Sequence, residues 1–150
     1  MKISIKSQYA LEALIDLTLH AGDGQENTGA IAARRGISEH YLEQILAALR
    51  KAGIVASIRG AQGGYRLSRP PQDITAGEVI RALEGPLTTV KCVLIKPGEE
   101  PCPMAGRCAT QPLWTRLTEE IDTVIDSVTL SDLLAAYESL SGQTEPEYCI

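Results

Sequence analysis

The stretch from residue 28 to residue 67 constrains the fold more than any other part of the sequence. Two segments with helical patterns, TGAIAARR and SEHYLEQILAALRKAG, lie on either side of Arg35-Gly36-Ile37. Thr28 and Ser38 are the predicted N-terminal caps, because their side-chain oxygens can accept hydrogen bonds from free amides at a helix start. A tight, glycine-containing turn between two helices predicts a helix-turn-helix.

A glycine-rich hairpin follows the second of these helices. The segment IVASI at 54–58 predicts a strand, RGAQGG at 59–64 its turn, and YRL at 65–67 the returning strand. A helix-turn-helix that ends in such a hairpin is a winged helix. The predicted fold is therefore mostly α-helical with a small β-hairpin.

The remaining segments predict further helices. They lie at 7–20, from the Thr75/Glu78 capping box to Gly85, from Pro112 onwards, and at 131–141, with TEPEYCI as a frayed tail. A heptad-like stripe predicts that the long helix after Pro112 packs against its copy in a homodimer. The stripe consists of Trp114, Leu117, Ile121, Val124 and Val128.

The net charge of the chain changes sign near Pro70-Pro71, which is a predicted linker. Residues 1–71 carry nine Lys/Arg and six Asp/Glu, a net charge of +3, whereas residues 72–150 carry five and thirteen, a net charge of −8. We expect a DNA-binding domain at 1–71, and at 72–150 a helix, a cysteine loop at about 86–111 and the dimerisation helices, all forming one compact chain. A basic half can contact a phosphate backbone even when the whole chain is acidic.

Other protein classes find little support. The sequence contains neither a signal peptide nor an apolar run long enough for a membrane span, so a cytoplasmic protein without a membrane partner is expected. No nucleophilic triad, phosphate loop or catalytic carboxylate pair is recognisable, which argues against an enzyme.

The first turns of the second helix in a helix-turn-helix read DNA bases. Gln44 can pair with adenine and Glu43 can accept a hydrogen bond from cytosine, while Arg59 at the wing tip can enter a narrow minor groove. The predicted DNA-binding residues are Thr28, Ser38, His40, Tyr41, Glu43, Gln44, Arg50, Arg59 and Gly60.

Three of the four cysteines lie within seventeen residues, CVLIKPGEEPCPMAGRC, as Cys92, Cys102 and Cys108. In a reducing compartment, closely spaced cysteines are more often metal ligands or redox groups than permanent disulfides. Cys149 has no cysteine near it in the sequence and is interpreted as a free thiol.

The strings YLEQIL and RGAQGGY, the opening MKISIKSQYALEAL and the three cysteines together resemble the bacterial winged-helix regulators of the IscR, NsrR and CymR type. The resemblance extends from Met1 to about Leu134. It implies a homodimeric repressor that binds operator DNA. In such a protein Glu43, Gln44 and His40 would face bases, and Arg59 would be the wing arginine.

The resemblance also implies a cofactor. In the cluster-binding members the three cysteines ligate an iron-sulfur cluster, 2Fe-2S or 4Fe-4S, which can be absent from the isolated protein and which senses nitric oxide, redox or iron-sulfur status. Here nine residues separate Cys92 from Cys102 and five separate Cys102 from Cys108, whereas the family spaces both pairs by five. Loop closure depends weakly on length, so the longer arm is compatible with a cluster.

The fourth ligand differs from the family pattern. Gln111 replaces the histidine and Gln8 the carboxylate used by other members, so Glu12, one helical turn after Gln8, is the expected substitute. Cys149, His20 and an exchangeable small molecule are the alternatives. Two other roles for the thiols stay open, a disulfide switch and a zinc site. The CymR resemblance offers another function: a cluster-free repressor of cysteine or sulfur metabolism, controlled by a partner metabolic enzyme or by thiol oxidation.

Overall fold

The computed structural model describes residues 3–22, 24–88, 90–93 and 98–142. Within them, six α-helices and one hairpin confirm the predicted fold class. In chain order the elements are α1 (Ile5–Ala21), α2 (Thr28–Arg35), α3 (Glu39–Lys51), β1 (Val55–Ile58), β2 (Gly64–Leu67), α4 (Ala76–Glu84), α5 (Gln111–Ser127) and α6 (Leu130–Ser141), with short 3₁₀ turns at Pro71–Asp73 and Lys91–Val93.

The helix-turn-helix consists of α2 and α3. Gly36 ends α2 in the left-handed conformation, at φ 64°, and donates its amide to the carbonyl of Ala32. Ser38 caps α3 as predicted, since its hydroxyl accepts a hydrogen bond from the amide of Tyr41 at 3.2 Å. The prediction that Thr28 caps α2 is wrong.

Asn27 is the cap of α2. Its side-chain oxygen accepts hydrogen bonds from the amides of Gly29 at 2.8 Å and Ala30 at 3.3 Å. Thr28 is instead the first helical residue, and only 9% of its surface is exposed. Asparagine caps a helix at least as well as threonine does. The helix therefore begins one residue earlier than predicted, with Asn27 as its cap.

The wing is tied to the segment before α2. Its strands pair antiparallel, with Val55 opposite Leu67 and Ser57 opposite Tyr65, and Glu26 makes a further bridge to Tyr65. A Cβ atom at Gly64 would lie 2.2 Å from the carbonyl oxygen of Glu26. Glycine is therefore needed at Gly64, because any larger residue would push the wing away from this segment.

One hydrophobic core joins both halves of the sequence. Its buried members include Leu14 and Leu17 from α1, Ile31 from α2, four residues of α3, and Ile74, Val79 and Leu130 from the second half. The four residues of α3 are Leu42, Ile45, Leu46 and Leu49. Helices α4 and α6 are therefore packed onto the same core that fixes α3.

Helix α5 begins at Gln111, with Pro112 in its first turn as predicted, and Thr118 is its only buried residue. Some of its apolar side chains are exposed, 59% at Leu113 and 61% at Val124, while Trp114 and Ile121 are half-buried. The predicted stripe is one residue too long, because Val128 lies past the helix end in an extended conformation. Val128 has that conformation because its carbonyl accepts the amide of Ala76 at 2.8 Å.

No helix in the described part of the chain is long and apolar enough to cross a membrane. The predicted tail, including Cys149, lies outside the described residues.

Candidate nucleic-acid interface and cysteine pocket

The outer face of α3 is polar and open. Ser38, His40, Glu43 and Gln44 are all exposed, while the buried leucines and isoleucine on the opposite face anchor the helix. Glu43 makes no hydrogen bond or ion pair within the described residues. Gln44 and His40 contact each other, with 3.1 Å between the two Nε2 atoms. This face can accept from and donate to base edges in a major groove.

Tyr41 and Thr28 are partly or fully buried and contact other parts of the protein. The ring of Tyr41 is half-buried and packs edge-on against Tyr9, with 6.1 Å between ring centroids. Thr28 is buried at the start of α2. Both residues help to position the exposed face of the helix-turn-helix, and both remain predicted DNA-binding residues.

The wing tip presents Arg59 and Gly60, both exposed. In the described part of the chain, Arg59 has no ion-pair or hydrogen-bond partner. The tip is held by Gln25, whose Nε2 donates to the carbonyl of Gln62 at 2.8 Å. Arg50 connects α3 to the wing through a 3.2 Å hydrogen bond to the hydroxyl of Ser57. A free guanidinium on a supported turn suits the negative potential of a narrow minor groove.

A buried carboxylate holds α2 against α1. Asp16 has a side chain that is 2% exposed, and it accepts from Nε and Nη2 of Arg34 at 2.6–3.1 Å and from Nε of Arg35 at 3.2 Å. The hydrogen bond to Asp16 raises the pKa of Arg34. Arg35 also lies over the ring of Tyr137 in α6, 5.3 Å from its centroid. Sequence analysis missed this cluster, because the pattern gives no sign that Asp16 belongs to an apolar helix face.

Cys92, Cys102 and Cys108 line one small pocket together with Ala105 and Gln111. All three thiols are free and half-buried. Cys92 belongs to the 3₁₀ turn Lys91–Val93, which packs against α5, and Cys108 lies just before the first turn of α5. Folding therefore brings together cysteines that the sequence spreads over seventeen residues.

Cys108 has the most polar surroundings of the three. The hydroxyl of Thr110 lies 3.2 Å from its Sγ atom. Hydrogen bonds from this hydroxyl, and from the amides of Thr110 and Gln111, lower the pKa of the Cys108 thiol. A thiolate is the form that binds metals and attacks oxidants, so this position favours both chemistries.

The side chains around the pocket are of the type that binds a thiolate-ligated metal group, because three cysteines line it. The present arrangement is looser than a finished site: across residues 3–22, 24–88, 90–93 and 98–142, no three His, Cys, Asp or Glu side chains are placed so that they could hold a metal ion. Glu12 is not among the pocket residues; its carboxylate accepts a hydrogen bond from Gln8 at 3.0 Å. Gln111 is the polar residue among those that line the pocket.

Helix α4 connects the wing to α5 through ion pairs. Arg69, just after β2, donates to Glu78 at 2.9 Å. One turn along α4, Arg81 pairs with Asp122 at 3.0 Å and with Asp126, both on α5. The helix that begins beside Cys108 is thus joined by side chains to the base of the wing.

A cavity of about 510 Å³ lies elsewhere, between the end of α1 and β2. Arg66 and Arg69 line it, and none of the cysteines does.

The sequence matches a protein-family model across residues 3–136, the Rrf2 model described as an iron-dependent transcriptional regulator. This chain belongs to the Rrf2 family.

Named Rrf2-type relatives cover most of the chain. The transcriptional regulator CymR of Bacillus subtilis is 45% identical over 133 residues, which is 89% of this chain and 89% of that protein. The regulator IscR of Aliivibrio salmonicida is 41% identical over 138 residues, 92% of this chain and 80% of that protein. The predicted kinship to IscR and CymR is confirmed.

Solved structures agree with the fold. The structure of CymR, the global cysteine regulator of B. subtilis, superimposes with a TM-score of 0.72 at 43% identity, over 91% of this chain and 98% of that chain. IscR of T. potens gives a TM-score of 0.72 at 40% identity, over 99% and 95%. An oxidized form of CymR from Staphylococcus aureus gives 0.66 at 37% identity, over 89% and 96%. This Rrf2 protein is a transcriptional regulator by family.

Proposed function

We propose that this Rrf2 protein is a homodimeric, DNA-binding repressor whose operator affinity is set by an iron-sulfur cluster held by Cys92, Cys102 and Cys108. The observation that carries the proposal is that these three thiols line one pocket at the start of α5. Chromosomal operator DNA would make the cytoplasm its place of action. The exposed apolar side chains of α5, among them Leu113, Leu117 and Val124, support pairing with a second copy.

In this proposal, two surfaces contact each operator half-site. Glu43 and Gln44 read bases in the major groove, beside His40 and Ser38, and Arg59 enters the adjacent minor groove next to Gly60. Arg50, Tyr41 and Thr28 contact or position the backbone-binding parts of the same surface. The exposure of the first group and the free guanidinium of Arg59 support these roles.

The cysteine pocket would hold the cluster through three thiolates. Cys108 is prepared for this role by the hydrogen bond from Thr110, which lowers its pKa. Glu12 remains the proposed fourth ligand, contributed across the dimer rather than within one chain. A bound iron-sulfur cluster would itself react with oxidants and with nitric oxide.

A change at the pocket would reach DNA through α5 and α4. Binding of a cluster by Cys92, Cys102 and Cys108 would fix the start of α5 relative to the 3₁₀ turn Lys91–Val93. A shift of α5 would then move α4 through the ion pairs of Arg81 with Asp122 and Asp126. The pair of Arg69 with Glu78 would in turn move the base of the wing. Two-fold related recognition helices bind half-sites about one helical turn apart, so a small tilt would alter operator affinity.

The test is purification without air, followed by a visible absorption spectrum and assays of iron and sulfide. We expect a coloured dimer with equal iron and sulfide, and loss of both in Cys108→Ala. Cys149→Ala is the matched control, because it removes a thiol that the proposal leaves unused. A colourless wild-type protein whose operator affinity is unchanged by Cys92→Ala, Cys102→Ala and Cys108→Ala would refute the cluster switch.

A second function is favoured by the acidified thiol of Cys108 beside two other thiols. In this alternative the protein is a cluster-free repressor of cysteine or sulfur metabolism, controlled by thiol oxidation or by a partner metabolic enzyme. The resemblance to the global cysteine regulator of B. subtilis and to the oxidized S. aureus structure supports it. A peroxide would convert the Cys108 thiolate to a sulfenic acid, and a second thiol would form a disulfide with release of water.

Two measurements separate this alternative from the cluster switch. Iron-free dimer treated with hydrogen peroxide would gain a disulfide between Cys108 and Cys92 or Cys102, visible by peptide mass spectrometry, and its operator affinity would change. An enzyme that co-purifies in equal amount with iron-free protein would favour control by a partner. Iron-free protein that neither forms this disulfide nor binds an enzyme would contradict the alternative.

A further inference from the structure

The contact between Gln44 and His40 is a distinctive feature of the exposed face of α3. The side chains are four residues apart on the helix, and their Nε2 atoms are 3.1 Å apart. Within the described residues, this is the one hydrogen bond that either side chain makes. The amide nitrogen of Gln44 can only donate, so Nε2 of His40 is the acceptor in this contact.

A count of donors and acceptors shows what this contact leaves available. The Gln44 amide group has two N–H bonds and one carbonyl oxygen. Recognition of adenine uses the carbonyl oxygen, which accepts from N6, and one N–H, which donates to N7. The other N–H is the one that the base does not need, and His40 takes it. The contact therefore holds the amide without consuming any group that reads adenine.

Other neighbours of Gln44 on the helix offer no comparable contact. Positions three and four residues further along are Ala47 and Ala48, which carry no polar side-chain atoms. Three residues before it is Tyr41, whose ring is packed against Tyr9. Without His40 the amide would rotate freely, and a half-turn would exchange its donor and acceptor. The flipped amide mismatches adenine, because N6 donates and N7 accepts.

We propose that His40 is a positioning residue that sets the orientation of the Gln44 amide and thereby the preference of this regulator for adenine at the base that Gln44 contacts. The inference rests on the proposed DNA-binding function. His40 acts through Gln44, so its effect is confined to the base position that Gln44 reads.

The test is selection from a randomised DNA library with the full-length dimer, followed by competition binding for each base at each operator position. The variants are His40→Ala, Gln44→Ala, the double variant and His40→Gln. A good bidentate contact discriminates against the wrong base roughly 5- to 150-fold. Loss of one supporting hydrogen bond should lower this preference roughly two- to tenfold in His40→Ala.

Four results are expected together. Gln44→Ala abolishes the adenine preference at one position in each half-site, His40→Ala lowers it at the same position, and the double variant equals Gln44→Ala. His40→Gln restores much of the preference, since its amide oxygen also accepts from Gln44. Loss in His40→Ala at a different position, or full additivity in the double variant, would overturn the role of His40. If Gln44→Ala changes no position, or the wild type selects no sequence, the proposed DNA-reading face itself is refuted.

Discussion

The substitution Asp16→Asn tests whether the buried carboxylate holds the helix-turn-helix together. The carboxylate is 2% exposed and accepts from two guanidinium groups, those of Arg34 and Arg35. Asparagine has nearly the same shape, but it is neutral and turns an amide N–H toward one of these cations. The change therefore removes the buried charge that the two arginines share, without leaving a cavity, and leaves Arg34 its 3.4 Å ion pair with Glu26.

The magnitude follows from burial and exposure. Removing one partner of a fully buried ion pair costs about 3–5 kcal/mol. Arg34 and Arg35 keep 34% and 17% of their side chains exposed, so water can solvate part of the charge left behind. We therefore expect a loss of about 2–3 kcal/mol in the free energy of unfolding. In a chain of this size the melting temperature should fall by roughly 4–12 °C.

The assay is urea and thermal unfolding followed by circular dichroism. Arg116→Ala is the matched control, because Arg116 and Glu120 form an ion pair 3.9 Å long with 81% and 64% exposure. Such a pair contributes at most about 1 kcal/mol. A loss in Asp16→Asn no greater than in this control would refute the argument that the Asp16 cluster, rather than apolar packing alone, fixes α2 on α1.

Three further predictions concern single hydrogen-bonded groups. Asn27→Ala should lower the free energy of unfolding by about 0.5–2 kcal/mol, measured by urea titration, and an unchanged value would contradict its role as the cap of α2. Hydrogen bonds from the hydroxyls of Ser4 and Ser7 lower the pKa of Glu84, so its stabilising contribution is full above its unfolded pKa of about 4.3 and is lost as the pH falls through the lower folded value. Glu84→Gln should therefore flatten the decline in stability below about pH 4.3, and an unaltered pH profile would count against this assignment. Thr110→Val should raise the pKa of the Cys108 thiol in iron-free protein, so its rate of alkylation by iodoacetamide near neutral pH should fall; an equal rate would mean that the hydroxyl does not acidify the thiol.

Local patterns in the sequence predicted the elements and the polar face of α3. The Ser38 cap, the Thr75/Glu78 capping box and the start of α5 at Pro112 depend on residues within one helical turn, so they could be read directly. The buried residues Leu42, Ile45, Leu46 and Leu49 recur at the spacing of one helical face. Belonging to the Rrf2 family was predictable for the same reason, since its strings YLEQIL and RGAQGGY are contiguous.

The errors came from residues with similar propensities. Asn27 and Thr28 are adjacent and both can cap a helix, and only the backbone conformation selects the asparagine. Val128 continues the apolar spacing of α5, but its carbonyl bonds to Ala76 across the fold and ends the helix. Spacing along a sequence contains no information about such a long-range hydrogen bond.

Tertiary structure decided which distant groups act together. The sequence by itself determined the helices, the wing, the exposed polar residues of α3 and the presence of three cysteines in one loop. Only the fold placed these cysteines around one pocket, buried Asp16 beside Arg34 and Arg35, and connected α5 to the wing through Arg81 and Glu78. The physical reason is range: helix periodicity and capping act within about four residues, whereas a shared pocket or ion pair depends on packing between elements tens of residues apart.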